Sequence, residues 1–164
     1  MSTPLLVADS GPLIALARLN LFHLPDCYFE STFVTTAVWD EVTRNPKPVE
    51  TDRLQAALTS GRIKIVDEVL IPPDSLQSAG VDVGEKTAIA LALALPATLL
   101  IDDRRARRAA LALGVSTLGT MGLLVRARMD ALIPPLRPQL DFLCQSGYFL
   151  SVRLVDLVLS EVGE

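Results

Sequence analysis

The chain contains very little of the chemistry on which many functional sites depend. Its 164 residues include one histidine and two cysteines, and only 5% are aromatic. A metal site or catalytic triad built on histidine is therefore excluded, and we expect His23 to be a structural or surface residue. Cys27 and Cys144 have no metal-binding spacing, so we expect reduced, partly buried thiols. The low aromatic content also argues against a base-stacking platform.

Basic charge and long apolar runs are also scarce. The net charge of −4 and the isoelectric point near 5.0 argue against nonspecific binding of nucleic acid over the whole surface. They do not exclude a local basic patch. No apolar run reaches the roughly 18 residues that span a bilayer, and the first residues lack the basic region of a signal peptide. We therefore expect a cytoplasmic protein without a membrane segment.

Apolar residues, by contrast, are abundant. Half of the chain is hydrophobic and its mean hydropathy is +0.40, which predicts many buried elements or a surface covered by a partner. We find no internal repeat or linker, so residues 1–164 are expected to form a single domain.

Short apolar segments alternate with helical patterns along the chain, which predicts an α/β domain with a mainly parallel sheet. After the last strand, the prolines near residue 134 introduce a C-terminal helical appendage at about 134–164. The predicted strands are Pro4–Ala8, Phe33–Thr36, Arg62–Val66 as an edge strand, Thr98–Ile101 and Val115–Leu118, and residues 67–81 are expected to be irregular. The predicted helices start near Ser10 and cover 37–43, 50–60, 81–95, 104–113 and 121–132.

Carboxylates stand at strand ends or near helix starts in four places, namely Asp9, Glu41, Glu85 and the pair Asp102–Asp103. Right-handed crossovers would bring the strand ends to one edge of the sheet. Two carboxylates about 4 Å apart repel by roughly 4 kcal/mol, so such a cluster requires a cation. Oxygen ligands without histidine or cysteine favour Mg²⁺ or Mn²⁺, ions that support phosphoryl chemistry.

Each acid also has a purely structural interpretation. Asp9 could cap the helix that follows it, for which Ser10 is also a candidate. Glu41 could be a solvated acid. Glu85 lies three residues after Asp82, the spacing of a capping box. Asp102 or Asp103 could cap the next helix, so spacing alone leaves the alternatives open.

Four arginines follow the Asp102–Asp103 pair directly. The helical pattern over 104–113 places alanines and Leu113 on the buried face, and it predicts that all four arginines point away from that face. They are either a solvated helix face or a phosphate-binding patch beside the acids, with Arg104 and Arg107 as substrate-binding candidates.

Four motifs recur at the predicted strand ends and helix starts: VADSGPLIAL at 7–16, GEKTAIALA at 84–92, LIDDRRAR at 100–107 and GTMGLL at 119–124. Together they resemble PIN-domain proteins, and most closely the DUF3368 branch, which is related to VapC-like toxins. The resemblance covers nearly the whole chain. It implies a three-layer α/β/α sandwich around a central, mainly parallel sheet, with a metal-dependent ribonuclease site built from acids.

The same resemblance assigns roles to individual residues. Asp9, Glu85 and Asp103 resemble metal ligands, with Asp102 beside Asp103 as an equal candidate. Glu41 matches the second acid of the family, with Asp40 as its rival. The polar residues that match positions lining such sites are Ser10 and Thr120.

The activity implied by the resemblance is hydrolysis of RNA phosphodiester bonds with one or two Mg²⁺ or Mn²⁺ ions. The resemblance also implies that the chain forms a homodimer and binds a cognate antitoxin protein.

Two alternatives remain: a non-catalytic PIN-fold interaction module, and another Mg²⁺-dependent phosphoryl-transfer protein. A receiver-type domain is disfavoured because one acid, not a pair, follows the first strand, and an Asp-x-Asp phosphatase because Gly11 occupies the second acid position.

Overall fold

A five-stranded parallel sheet forms the centre of the molecule in the computed structural model, which describes residues 3–67 and 72–164. The strand order is β3-β2-β1-β4-β5. The strands are β1 Leu5–Ala8, β2 Ser31–Thr35, β3 Ile63–Val66, β4 Thr98–Leu100 and β5 Thr117–Leu118. The helices are α1 Ser10–Leu19, α2 Thr36–Arg44, α3 Pro48–Thr59, α4 Val83–Ala94, α5 Arg104–Ala112, α6 Thr120–Met129, α7 Leu136–Gln145 and α8 Val152–Glu161.

The strand register places the acidic segments side by side. Ala8 pairs with Leu100, and the amide of Asp9 continues the pairing by donating to the Leu100 carbonyl at 3.0 Å. On the other side of β4, the Ile101 amide donates to the Leu118 carbonyl at 2.9 Å. The residues after β1, β4 and β5 therefore leave the sheet at one edge, where open α/β sheets place their binding crevices.

Helices cover the sheet as a three-layer α/β/α sandwich. Helix α4 packs against β1, β2 and β4 and contacts α2 and α5, whereas α1 contacts α3 and α7. Every residue of the run Ala88–Ala92 in α4 is buried, as its uniformly apolar sequence indicates. The strand residues Leu6, Leu99 and Leu100 have no exposed surface, as expected for a parallel sheet covered on both faces.

The two C-terminal helices belong to the same hydrophobic cluster as the sheet. Helix α7 buries Leu136, Leu140 and Leu143, and α8 buries Val158 and Leu159. Helix α7 also contacts α1 and α6, and α8 contacts α6 and α7. This packing matters for the site, because it holds the α7–α8 connection next to the carboxyl edge of the sheet.

Several local expectations were wrong. Ser10 is the first residue of α1, and Asp9 occupies the N-cap position without a side-chain capping bond. Both cysteines are exposed rather than partly buried, since Cys27 ends a 3₁₀ turn at the surface and Cys144 lies on the exposed face of α7. By contrast, the irregular structure expected for 67–81 is confirmed at 67 and 72–81, which contain only a short 3₁₀ turn at Asp74–Leu76, and residues 68–71 lie outside the described residues.

No helix within residues 3–67 and 72–164 is long and apolar enough to cross a bilayer.

Candidate functional site

Asp9 is a buried carboxylate without a hydrogen-bond partner for one of its oxygens. The residue is 5% exposed, and its Oδ1 has no partner among the described residues. Burial raises the pKa of Asp9 from 3.8 to about 7, and the Ser10 amide opposes this only in part. An acid that is costly to ionise and incompletely satisfied is unusual in a protein interior, and such acids are concentrated at functional sites.

Three further acids surround Asp9 closely enough to act on it. The negative charges of Glu85, Asp82 and Glu41 all raise the pKa of Asp9 further. Gly84 leaves room for the Glu41 carboxylate at the start of α4. A Cβ on residue 84 would lie 2.8 Å from Glu41 Oε2 and 3.4 Å from Asp82 Oδ1, so a larger residue would push the Glu41 carboxylate away.

Glu85 takes part in both the site and a helix cap. Its Oε2 accepts from the Asp82 amide at 2.8 Å, and Asp82 Oδ1 accepts from the Glu85 amide at 2.8 Å, which completes the capping box expected from their spacing. Burial raises the pKa of the Glu85 carboxyl, and the charges of Asp82, Asp103 and Glu41 add to this rise. The structural and the functional interpretations of Glu85 are thus compatible.

The adjacent acids Asp102 and Asp103 face different surroundings. Asp103 caps α5, because its Oδ1 accepts from the amides of Arg105 and Ala106 at 2.8 and 2.9 Å. Asp102 accepts three hydrogen bonds: from the Thr120 amide at 2.8 Å, the Thr120 hydroxyl at 2.7 Å and the Tyr148 hydroxyl at 2.7 Å. Burial and the charge of Asp102 raise the pKa of the Tyr148 phenol above its ordinary value.

The arginines do not all point away from the core, and the sequence prediction was wrong for Arg107. Its Nη2 donates to the Ile101 carbonyl at 2.9 Å, and its guanidinium lies against Gly119, where a Cβ would clash with Nη2. The side chain thus ties α5 to the end of β4. Arg104 is exposed at the rim of the groove described next, and Ser10 is half-buried beside Asp9.

A groove of about 1380 Å³ opens beside Asp102 and Asp103 and runs between α6 and α8. Its walls carry four arginines and four acids, so its formal charge is balanced. Several of its apolar residues are strongly exposed, including Phe149 at 89% and Met129 at 68%. The apolar wall consists mainly of Met121, Val125, Met129, Phe149, Leu150 and Leu154.

The acids are the ligand type that Mg²⁺ or Mn²⁺ prefers, although their carboxylates do not converge on one metal position among the described residues. All candidate ligands are carboxylate oxygens, and Asp9 Oδ1 is unpartnered. Within the described ranges, no group of three or more His, Cys, Asp or Glu side chains is positioned to hold a metal ion. A cation at Asp9 would therefore need neighbouring carboxylates, such as Glu41 and Glu85, to rotate towards it.

Comparison with known proteins settles the family. The family model DUF3368, described as a PIN domain, matches residues 5–164. The chain belongs to this PIN-domain family. PIN domains are generally nucleases that use divalent metal ions, so this chain belongs to a family of hydrolases. No curated protein matched the sequence.

A solved structure supports the PIN fold independently. It is a PilT N-terminus domain protein from the archaeon Sulfolobus solfataricus P2, which is 19% identical and superimposes with a TM-score of 0.56. The match covers 75% of this chain and 92% of that one. At this identity the likeness concerns the fold alone.

The PIN-domain chain also contains site residues that the sequence did not reveal. Tyr148 lies far along the chain, outside every family motif, and nothing in its local sequence indicates contact with Asp102. Asp82 was expected only as a cap, yet its charge acts on Asp9. Asp40 and Glu41 are both exposed, but Glu41 lies against Gly84 and its charge acts on Asp9, so the geometry favours Glu41 over its rival.

Proposed function

We propose that this PIN domain is a ribonuclease that hydrolyses RNA phosphodiester bonds with Mg²⁺ or Mn²⁺. The observation that carries the proposal is Asp9, a buried acid with an unpartnered oxygen and three acids acting on it. A purely structural acid in this position would be expected to have its hydrogen bonds satisfied. A bound cation would instead offset the repulsion between the negative charges of Asp9 and the three acids that act on it.

Asp9, Glu85 and Glu41 are the residues that would hold the ion, with Asp103 near Glu85. When bound, the ion supplies Lewis-acid activation of water and stabilises charge on the departing 3′ oxygen. Burial of Asp9 excludes bulk water and so strengthens its attraction for a cation. Asp82, bonded to Glu85, restricts where the Glu85 carboxylate can go.

Substrate contacts are assigned to residues around the acids. Arg104 is exposed at the groove rim next to Asp103, where its guanidinium can bind a backbone phosphate. Ser10 lies beside Asp9 and can donate to a non-bridging oxygen. Thr120 and Arg107 are already bonded to Asp102 and Ile101, so we assign them to holding the site in place rather than to direct contact with RNA.

We also propose that the chain is the toxin of a toxin–antitoxin pair and that it forms a homodimer. The groove between α6 and α8 favours a protein partner, because it is large, largely apolar and ends at Asp102 and Asp103. A partner helix with an apolar face and a basic side chain at its end would match both features.

The exposed apolar residues outside the groove, such as Phe142, could be covered by a second copy.

The proposed activity is tested with a mixed RNA pool and purified protein that has been stripped of metal. We expect cleavage with Mn²⁺ or Mg²⁺ and its loss on addition of excess EDTA, because the proposed reaction depends on a bound ion to activate water. A matched single-stranded DNA pool shows whether the activity is selective for RNA. If neither ion supports cleavage, the chain is not the ribonuclease proposed here, and the non-catalytic PIN-fold module is favoured.

A further inference from the structure

The α7–α8 connection sends one side chain, Tyr148, to the carboxyl edge of the sheet. Its hydroxyl lies 2.7 Å from Asp102 Oδ2. Because an ionised carboxylate has no hydrogen to donate, the phenol is the donor in this bond. The same hydroxyl lies 3.7 Å from the position that a Cβ of Gly11 would occupy, two residues after Asp9. Tyr148 therefore bonds to the segment that follows β4 and lies beside the segment that follows β1.

Asp102 is held more firmly than an acid that only faces solvent. Thr120 donates to both of its oxygens, and Tyr148 adds a third bond to Oδ2. Gly119 leaves room beside Oδ1, since a Cβ there would lie 3.4 Å from Asp102 Oδ1 and would clash with Arg107. The orientation of this carboxylate is thus set by two separate segments of the chain, Gly119–Thr120 and Tyr148, and charge-assisted bonds of this kind are the stronger ones.

We propose that Tyr148 is a positioning residue for cleavage, which acts through Asp102. This inference rests on the proposed ribonuclease function. By fixing Asp102, Tyr148 fixes the turn that carries Asp103 to the start of α5, beside Glu85. The C-terminal helices α7 and α8 thereby contribute to the site, although none of their residues belongs to a family motif.

The variant Tyr148→Phe tests this role, because it keeps the ring and removes only the donor. We expect kcat for RNA cleavage to fall by about tenfold, with KM changed by less than about twofold, as for the loss of a hydrogen bond that supports a metal site from outside its ligands. The control is Tyr28→Phe, which removes a similar tyrosine–aspartate bond, from the Tyr28 hydroxyl to Asp130 Oδ2 at 2.6 Å, that involves neither Asp102 nor the acids that act on Asp9. It should leave kcat unchanged.

Two further measurements separate positioning from a general structural role. In an Asp102→Asn background, Tyr148→Phe should have little additional effect on kcat, because the two residues act as a unit. Hydrogen exchange of the Thr120 amide, which donates to Asp102, should be faster in Tyr148→Phe and unchanged in Tyr28→Phe.

The possible failures are distinguishable. If the wild-type protein does not cleave RNA with Mn²⁺, the proposed function fails, and the role of Tyr148 fails with it. If the wild type cleaves and Tyr148→Phe cleaves with equal kcat, only the positioning role is overturned. A fall in kcat that is equally large and additive in the Asp102→Asn background also overturns it, since Tyr148 would then not act through Asp102.

Discussion

Replacing Asp9 with asparagine should lower RNA cleavage by at least about a hundredfold. The substitution keeps the size and shape of the side chain but removes the negative charge of the most buried acid in the cluster. Without that charge, the cluster lacks the carboxylate that is best placed to attract a cation. The measurement is the initial rate of cleavage of the RNA pool in Mn²⁺, compared between Asp9→Asn and wild type.

Asp40→Asn is the matched control for this experiment. It makes the same chemical change at an exposed acid next to Glu41, and Asp40 is not among the charges that raise the pKa of Asp9. We expect its cleavage rate to stay within about twofold of wild type, as for an ordinary surface substitution. Equal rates for wild type and Asp9→Asn would mean that the cleavage comes from a contaminant or from another site.

The stability of the protein should fall as the pH rises through the titration range of Asp9. The pKa of Asp9 is raised from 3.8 in the unfolded chain to about 7 in the folded protein. The stability associated with the protonated acid is therefore fully present below pH 3.8 and is lost as the pH approaches 7. The loss is on the order of 4 kcal/mol, and the raised pKa of Glu85 acts in the same direction.

Urea unfolding in EDTA, at several values between pH 4.5 and pH 8, measures this dependence. In Asp9→Asn the decline in the free energy of unfolding should be much smaller, because asparagine does not titrate. Asp40→Asn should retain the wild-type decline. An unchanged decline in Asp9→Asn would mean that other groups produce it and that Asp9 is not costly to ionise.

The sequence predicted the order of elements and the edge of the sheet where the acids lie. These features depend on local patterns: an apolar strand, an acid and a helix start recur at Asp9 and at Asp102–Asp103. The edge position of β3 and the capping box of Asp82 and Glu85 also follow from short-range patterns. Strands and caps of this kind are encoded within a few residues, so they can be predicted without the tertiary structure.

The parts that could not be predicted depend on contacts between distant segments. The periodicity of α5 places Arg107 on the polar face of the helix. In the folded protein its guanidinium instead reaches back to the Ile101 carbonyl and lies against Gly119. The different surroundings of Asp102 and Asp103 depend on Thr120 and Tyr148, which lie 18 and 46 residues away from Asp102. No local pattern in the sequence contains this information.

Titration of metal-free protein with Mn²⁺ by calorimetry at neutral pH tests the central claim most directly, namely that the acids around Asp9 bind a divalent cation. We predict saturable binding of one or two ions to wild type and to Asp40→Asn, and affinity at least about tenfold weaker in Asp9→Asn. No binding by wild type, or equal affinity in wild type and Asp9→Asn, would contradict the claim.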